Sequence, residues 1–119
     1  MDYSKVIAVD FDGTLCTEAF PDTGERLPVH DRVIAFLHAE KAKGALIVLW
    51  TCREDTPERN YLSEAAAWCR QNSVPIDYVN ERPLPEIGGF PSRKLWADLY
   101  IDDKSVNLET FLQGVENDG

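Results

Sequence analysis

At 119 residues, 44% of them apolar, the chain is long enough to build one hydrophobic core but not two. Twelve basic side chains against 21 acidic ones leave a net charge of −9, which excludes the broad Lys/Arg footprint on which nucleic-acid binding relies. The longest apolar run, residues 45–50, is too short to cross a bilayer, and residues 1–5 lack the basic segment and apolar core of a secretion signal. A soluble, cytoplasmic protein is expected, with no membrane partner. Cys16, Cys52 and Cys69 are odd in number and form no CxxC pair, which argues against a disulfide scaffold or a thiolate zinc site.

The pattern predicts a first strand over Val6–Val9, running into Asp10-Phe11-Asp12-Gly13-Thr14-Leu15. Residues 16–30 are irregular, and Pro21-Asp22-Thr23-Gly24 is a turn signal that could close a small hairpin flap just after the first carboxylate pair. Asp31 is placed to cap a helix with Val33, Ile34 and Leu37 on one face and Gly44 as its stop. A second strand over 46–50 is apolar throughout, as expected when both faces are covered. Thr56-Pro57 is a good helix opening, followed by Leu62, Ala65, Ala66 and Cys69 at i, i+3, i+4 and i+7.

A shorter strand is expected over 76–79, then a long surface loop over 80–93 with three prolines and Gly88-Gly89. A last strand, Leu99–Ile101, ends in Asp102-Asp103. Ser105 is placed to cap a final helix with Leu108, Phe111, Leu112 and Val115 on one face, and the tail beyond is expected to fray. Short apolar runs alternating with helical periods predict an α/β domain with a mainly parallel sheet, without repeats or a second domain.

In open parallel sheets ligands bind beyond the carboxyl ends of the strands. Asp10 and Asp12 follow the first strand, Thr51 and Arg53 the second, and Asp102 and Asp103 the last, so all should face one rim. Carboxylates about 4 Å apart repel by roughly 1 kcal/mol even in bulk water. A hard divalent cation such as Mg²⁺ is the simplest means of holding them together, which points to a phosphate-handling metal site. Lys94 precedes the last strand, where its ammonium could be aimed into the rim.

Each pair also has a structural reading: Asp12-Gly13 as a hairpin turn, Asp102-Asp103-Lys104-Ser105 as a helix-capping loop. Order and spacing together favour the site. Arg53 is equally consistent with holding a substrate phosphate and with a surface role. His30 and His38 lack partners at metal-ligand spacing and read as solvated or capping residues. Cys69 reads as a buried thiol, Cys52 lies beside a candidate site residue, and Trp50 and Trp96 fit core packing better than pocket lining.

The stretch Asp10-Phe11-Asp12-Gly13-Thr14-Leu15 resembles the first motif of the haloacid dehalogenase superfamily of phosphatases and phosphotransferases. Thr51 at a strand end resembles its second motif, Lys94 its third, and Ile101-Asp102-Asp103 its fourth, so the likeness runs from residue 6 to residue 106. The resemblance implies a single Rossmann-like three-layer domain, with the first-motif strand between those carrying motifs two and four. It implies that Asp10 is a nucleophile forming an aspartyl-phosphate and that Asp12 is the general acid and base. It further implies Mg²⁺ on the Asp10 carboxylate, the Asp12 carbonyl and Asp102, with Asp103 assisting, and Thr51 and Lys94 on the phosphoryl oxygens. Family dehalogenases lack the second aspartate, so phosphate-ester hydrolysis is favoured.

Between the motifs there is room only for the flap over about 16–30, so the resemblance implies a member without a cap domain, a kind that often acts on large substrates or borrows a lid from a second copy. An open site with little surface to select a leaving group predicts broad, modest activity on small phosphate esters. The expected activity is Mg²⁺-dependent hydrolysis of phosphate monoesters of a small metabolite or nucleotide. Alternatives are an end-processing phosphatase on nucleic acid or phosphoprotein, and a non-catalytic interaction module.

Overall fold

The structure, a computed structural model, describes residues 5–80, 99–102 and 112–113. Its elements are β1 (Val6–Val9), α1 (Pro28–Ala42), β2 (Leu46–Leu49), α2 (Tyr61–Gln71), β3 (Tyr78–Val79) and β4 (Leu99–Ile101). Among the described residues they build one four-stranded, all-parallel sheet in the order β3-β2-β1-β4. The strand leading to Asp10 therefore has a neighbour on each side, the one leading to Thr51 and the one leading to Asp102. Register aligns Val9 with both Leu49 and Ile101, and Leu49 with Val79, so the four strands finish level.

The pleat divides the apolar residues between two faces. Ile7, Val9, Ile47, Leu49 and Ile101 join Val33, Ile34 and Leu37 of α1 and Ala65, Trp68 and Cys69 of α2 in one core. Burial of each large aliphatic side chain here contributes about 1.5–3 kcal/mol. Val6, Ala8 and Val48 are also buried, on the other face, with Trp50 and Tyr78 packed beside them. This is why both strands read as unbroken apolar runs. Trp50 packs there as expected, although β2 ends one residue before it.

Several local expectations shift. Helix α1 begins at Pro28, whose missing N–H costs nothing in a first turn. Asp31 lies inside that turn and pairs with Arg26, while the Leu27 amide donates to His30 Nδ1 at 2.9 Å, so the histidine caps the helix and Asp31 does not. Gly44 follows the helix end at φ +97°, a left-handed conformation that glycine adopts without strain, and acts as the expected stop.

Helix α2 begins at Tyr61, later than Thr56-Pro57 suggests. Thr56 is used in a turn with Arg59, and Asp55 instead accepts from the amide and hydroxyl of Ser63 at 2.9 and 2.6 Å in the first helical turn. Its fully packed residues are Ala65, Trp68 and Cys69, so the stripe includes a tryptophan and leaves Leu62 and Ala66 half-buried. β3 is confined to Tyr78–Val79 because the Asp77 carboxylate, not a strand residue, accepts from Ile47 N–H at 2.8 Å.

Residues 16–27 form a loop without strands, closed by Thr17 N–H on the Glu25 carbonyl at 2.9 Å and Glu25 N–H on Thr17 Oγ1 at 2.8 Å. The final helix is described only at Leu112, which is buried, and Gln113. Ser105, Leu108, Phe111, Val115, Trp96 and residues 81–93 of the expected surface loop lie outside the described residues. No helix among the described residues is long and apolar enough to cross a membrane.

Candidate functional site

Past β1 the chain makes a tight turn. Phe11 is completely buried with its ring edge-on to Trp68, centroids 5.5 Å apart at 82°. Gly13 takes φ +80°, and Leu15 N–H returns to the Phe11 carbonyl at 3.0 Å. Anchoring Phe11 inward fixes the two aspartates that flank it. Asp10 and Asp12 line an open cleft of about 560 Å³ together with Thr51 and Arg53. Four of the seven residues expected at the rim thus meet in one cleft. Asp102, half-buried, lies at the same sheet edge next to Asp10, whose amide donates to the Ile101 carbonyl at 3.0 Å. Lys94 and Asp103 lie outside the described residues.

Arg53 is 3% exposed, so a surface role does not describe it. Its guanidinium makes a two-pronged pair with Asp12, Nε to Oδ2 at 2.9 Å and Nη2 to Oδ1 at 2.8 Å. The remaining N–H groups reach the carbonyls of Asp22 at 2.8 Å, Pro21 at 3.3 Å and Tyr61 at 3.4 Å. Its charge lies 5.0 Å from the Phe11 ring centre and 5.1 Å from that of Phe20. The Asp12 hydrogen bonds, outweighing burial, raise the Arg53 pKa, which keeps the cation permanently charged.

Residues that the motifs did not announce complete the cleft. Glu18 and Phe20 come from the 16–27 loop, and Phe20, 54% exposed, rests against Tyr61 with centroids 5.4 Å apart. Arg59 holds that loop from outside: it grips Glu64 through two bonds of 2.8 Å and Asp22 at 2.9 Å, and lies over the Tyr61 ring. Hydrogen bonds to Glu64 and then Asp22 raise its pKa. Asn80, just past β3 at φ +51°, accepts from Thr51 N–H through Oδ1 at 2.9 Å. An Asn at a strand end, tolerant of the left-handed region and able to mimic a backbone acceptor, was the available signal for that role. Thr51 Oγ1 accepts from Arg53 N–H at 3.2 Å, which orients its lone pair and leaves the hydroxyl proton to donate elsewhere.

The histidines and Cys69 lie away from this chemistry, whereas the buried Cys16 forms a backbone bridge with Asp12. His30 is buried at the α1 cap, and desolvation lowers its pKa; His38 contacts the Ser73 carbonyl at 2.6 Å from an exposed position. Both match a capping or solvated role, with His30 the capping one. Burial pushes the Cys69 thiol up to about 12 and raises that of Cys16, while Cys52 is exposed and lines the cleft.

Among the described residues no group of three or more His, Cys, Asp or Glu comes together as a metal cage. Beside the Asp12–Arg53 pair, Asp10 and Asp102 are neighbouring oxygen donors just past two paired strands. Two carboxylates and no nitrogen or sulfur suit Mg²⁺, which keeps several waters and needs one or two protein carboxylates, better than they suit zinc.

No family model and no curated protein matches the chain. Among solved structures it is similar to that of a conserved protein from Bacteroides thetaiotaomicron, with a TM-score of 0.74 and 31% sequence identity over 98% of this chain and 93% of the other. Identity at that level across nearly the whole of both molecules makes this chain a member of the same family as the conserved Bacteroides thetaiotaomicron protein.

Proposed function

We propose that the protein is a Mg²⁺-dependent phosphomonoesterase of the haloacid dehalogenase type, acting on a small phosphorylated metabolite or nucleotide. The observation that carries this reading is the meeting of Asp10, Asp12 and Thr51 in one cleft at the carboxyl edge of a parallel sheet, with β1 between β2 and β4. Burial of Val6, Ala8 and Val48 on the second sheet face supports a three-layer, Rossmann-like arrangement, since an apolar face needs cover.

In this scheme an Asp10 carboxylate oxygen attacks phosphorus while the ester P–O bond breaks, and Asp12 passes a proton to the departing oxygen. Water then attacks the aspartyl-phosphate, gives its proton to Asp12, and releases inorganic phosphate with Asp10 restored. Thr51 donates its hydroxyl proton to a phosphoryl oxygen, held in place by Asn80 and by the Arg53 amide. Lys94 serves the same oxygens and Asp103 assists Asp102. Asp10 and Asp102 would hold Mg²⁺, which would supply positive charge to offset that developing on the phosphoryl group. Glu18 and Phe20 give the open cleft its selectivity.

The test is phosphate release from a panel of phosphorylated metabolites, p-nitrophenyl phosphate and an oligonucleotide 3′-phosphate, with Mg²⁺ present. Turnover of several small esters is expected. No release from any member by folded protein refutes the reading, and exclusive release from the oligonucleotide replaces the substrate class.

A further inference from the structure

A guanidinium has five N–H donors in a rigid, planar fork. The five bonds of Arg53 occupy them: two on Asp12, and one each on the carbonyls of Pro21, Asp22 and Tyr61. Arg53 therefore has no donor left for a substrate phosphate. It joins three segments instead, the turn after β1, the 16–27 loop and the start of α2, with its side chain 1% exposed. A carboxylate held through both oxygens by a planar fork has its plane set by that fork, and this fork is fixed in turn by two loop carbonyls and the Phe20 ring.

We infer that Arg53 is a positioning residue that couples the docked 16–27 loop to the orientation of the Asp12 carboxylate. The inference rests on the phosphatase reading, in which Asp12 supplies the leaving group with its proton. With the loop seated, Arg53 holds Asp12 against the cleft. With the loop displaced, the fork loses two of its acceptors and Asp12 loses its fixed plane.

The loop can be disturbed without altering either partner. A Cβ on Gly24 would lie 1.9 Å from the Thr17 carbonyl oxygen, so even alanine must force apart the Thr17–Glu25 closure. The test uses two esters that differ in their need for a proton. p-Nitrophenolate departs without one, whereas the alkoxide of glycerol phosphate depends on general-acid help worth about 10²–10⁴-fold. Values of kcat/KM for wild type, Arg53→Lys and Gly24→Ala are compared on both esters. Because each ratio is taken on one sample, any fraction of unfolded protein cancels.

In both variants the nitrophenyl-to-alkyl ratio is expected to rise by about tenfold or more, and the Thr17 amide is expected to exchange hydrogen faster in Arg53→Lys. An unchanged ratio in either variant, or unchanged Thr17 exchange in Arg53→Lys, overturns the coupling. A wild type inert toward both esters overturns the phosphatase reading, and this inference with it.

Discussion

Asp10 and Asp102 are the first residues beyond two strands paired in register, Val9 opposite Ile101, and the Asp10 amide donates to the Ile101 carbonyl at 3.0 Å. Paired strands lie about 4.8 Å apart, so two carboxylates leave the sheet side by side. Like charges this close repel, and in the proposed phosphatase a Mg²⁺ held by both would offset that repulsion. EDTA is expected to abolish phosphatase activity and Mg²⁺ to restore it. Asp102→Asn should raise the Mg²⁺ concentration needed for half-maximal activity by at least about tenfold. Activity indifferent to chelator removes the metal from the scheme.

Asp10→Asn should lower kcat on p-nitrophenyl phosphate by on the order of 10⁴-fold while leaving the circular-dichroism spectrum unchanged, because an amide oxygen is a poor nucleophile in the same volume. Substantial residual hydrolysis would reassign the attacking group.

Asn80 ties the end of β3 to the Thr51 amide from a left-handed backbone conformation. Asn80→Ala removes the acceptor and leaves a residue that tolerates this φ poorly, so about 1–2 kcal/mol of stability should be lost. The melting temperature should fall by roughly 4–8 °C for each kcal/mol lost, and kcat/KM should fall as Thr51 loosens. Asn80→Asp keeps the acceptor and should retain most of both. A fully active Asn80→Ala variant would show that Thr51 needs no such support.

Among the described residues, His30 and Glu40 are buried groups that contribute to the acid sensitivity of the fold. Burial lowers the His30 pKa from 6.5, so the unfolded chain takes up this proton more readily than the folded one. The associated stability is complete above pH 6.5 and is lost as pH falls through the lower folded value. Glu40, buried between Lys5 at 2.7 Å and Lys43 at 3.1 Å, has its pKa lowered from 4.5 chiefly by the Lys5 hydrogen bond. Its contribution is intact above pH 4.5 and disappears as pH falls through the folded value.

Melting temperature measured against pH should therefore decline in two stages. His30→Gln keeps a side-chain acceptor for the Leu27 amide, as glutamine does in a capping box, and should abolish the earlier stage only. An unaltered early decline would place the responsible proton elsewhere.

What the sequence made legible was where apolar periodicity and motif order coincided. β1 and β4 appear at their expected bounds, and Asp10, Asp12 and Thr51 meet because consecutive parallel strands deliver their ends to one edge. Arg53 was balanced between substrate and surface because nothing local links it to Asp12, 41 positions earlier; only folding brings the two within 2.8 Å. Thr56-Pro57 has good helix-opening chemistry, yet Arg59 offers Thr56 a competing turn and α2 waits for Tyr61. Trp68 interrupts the aliphatic stripe of α2 because Phe11 gives its ring an edge-on partner, a contact no periodicity encodes.

The distribution of sulfur has a practical side. Cys16 and Cys69 are sealed in the core with raised pKa values, so little thiolate forms there, while Cys52 stands exposed between Thr51 and Arg53 on the cleft wall. The native chain thus carries a single address for maleimide chemistry. A dye attached there would report occupancy by its brightness, without any engineering of the polypeptide.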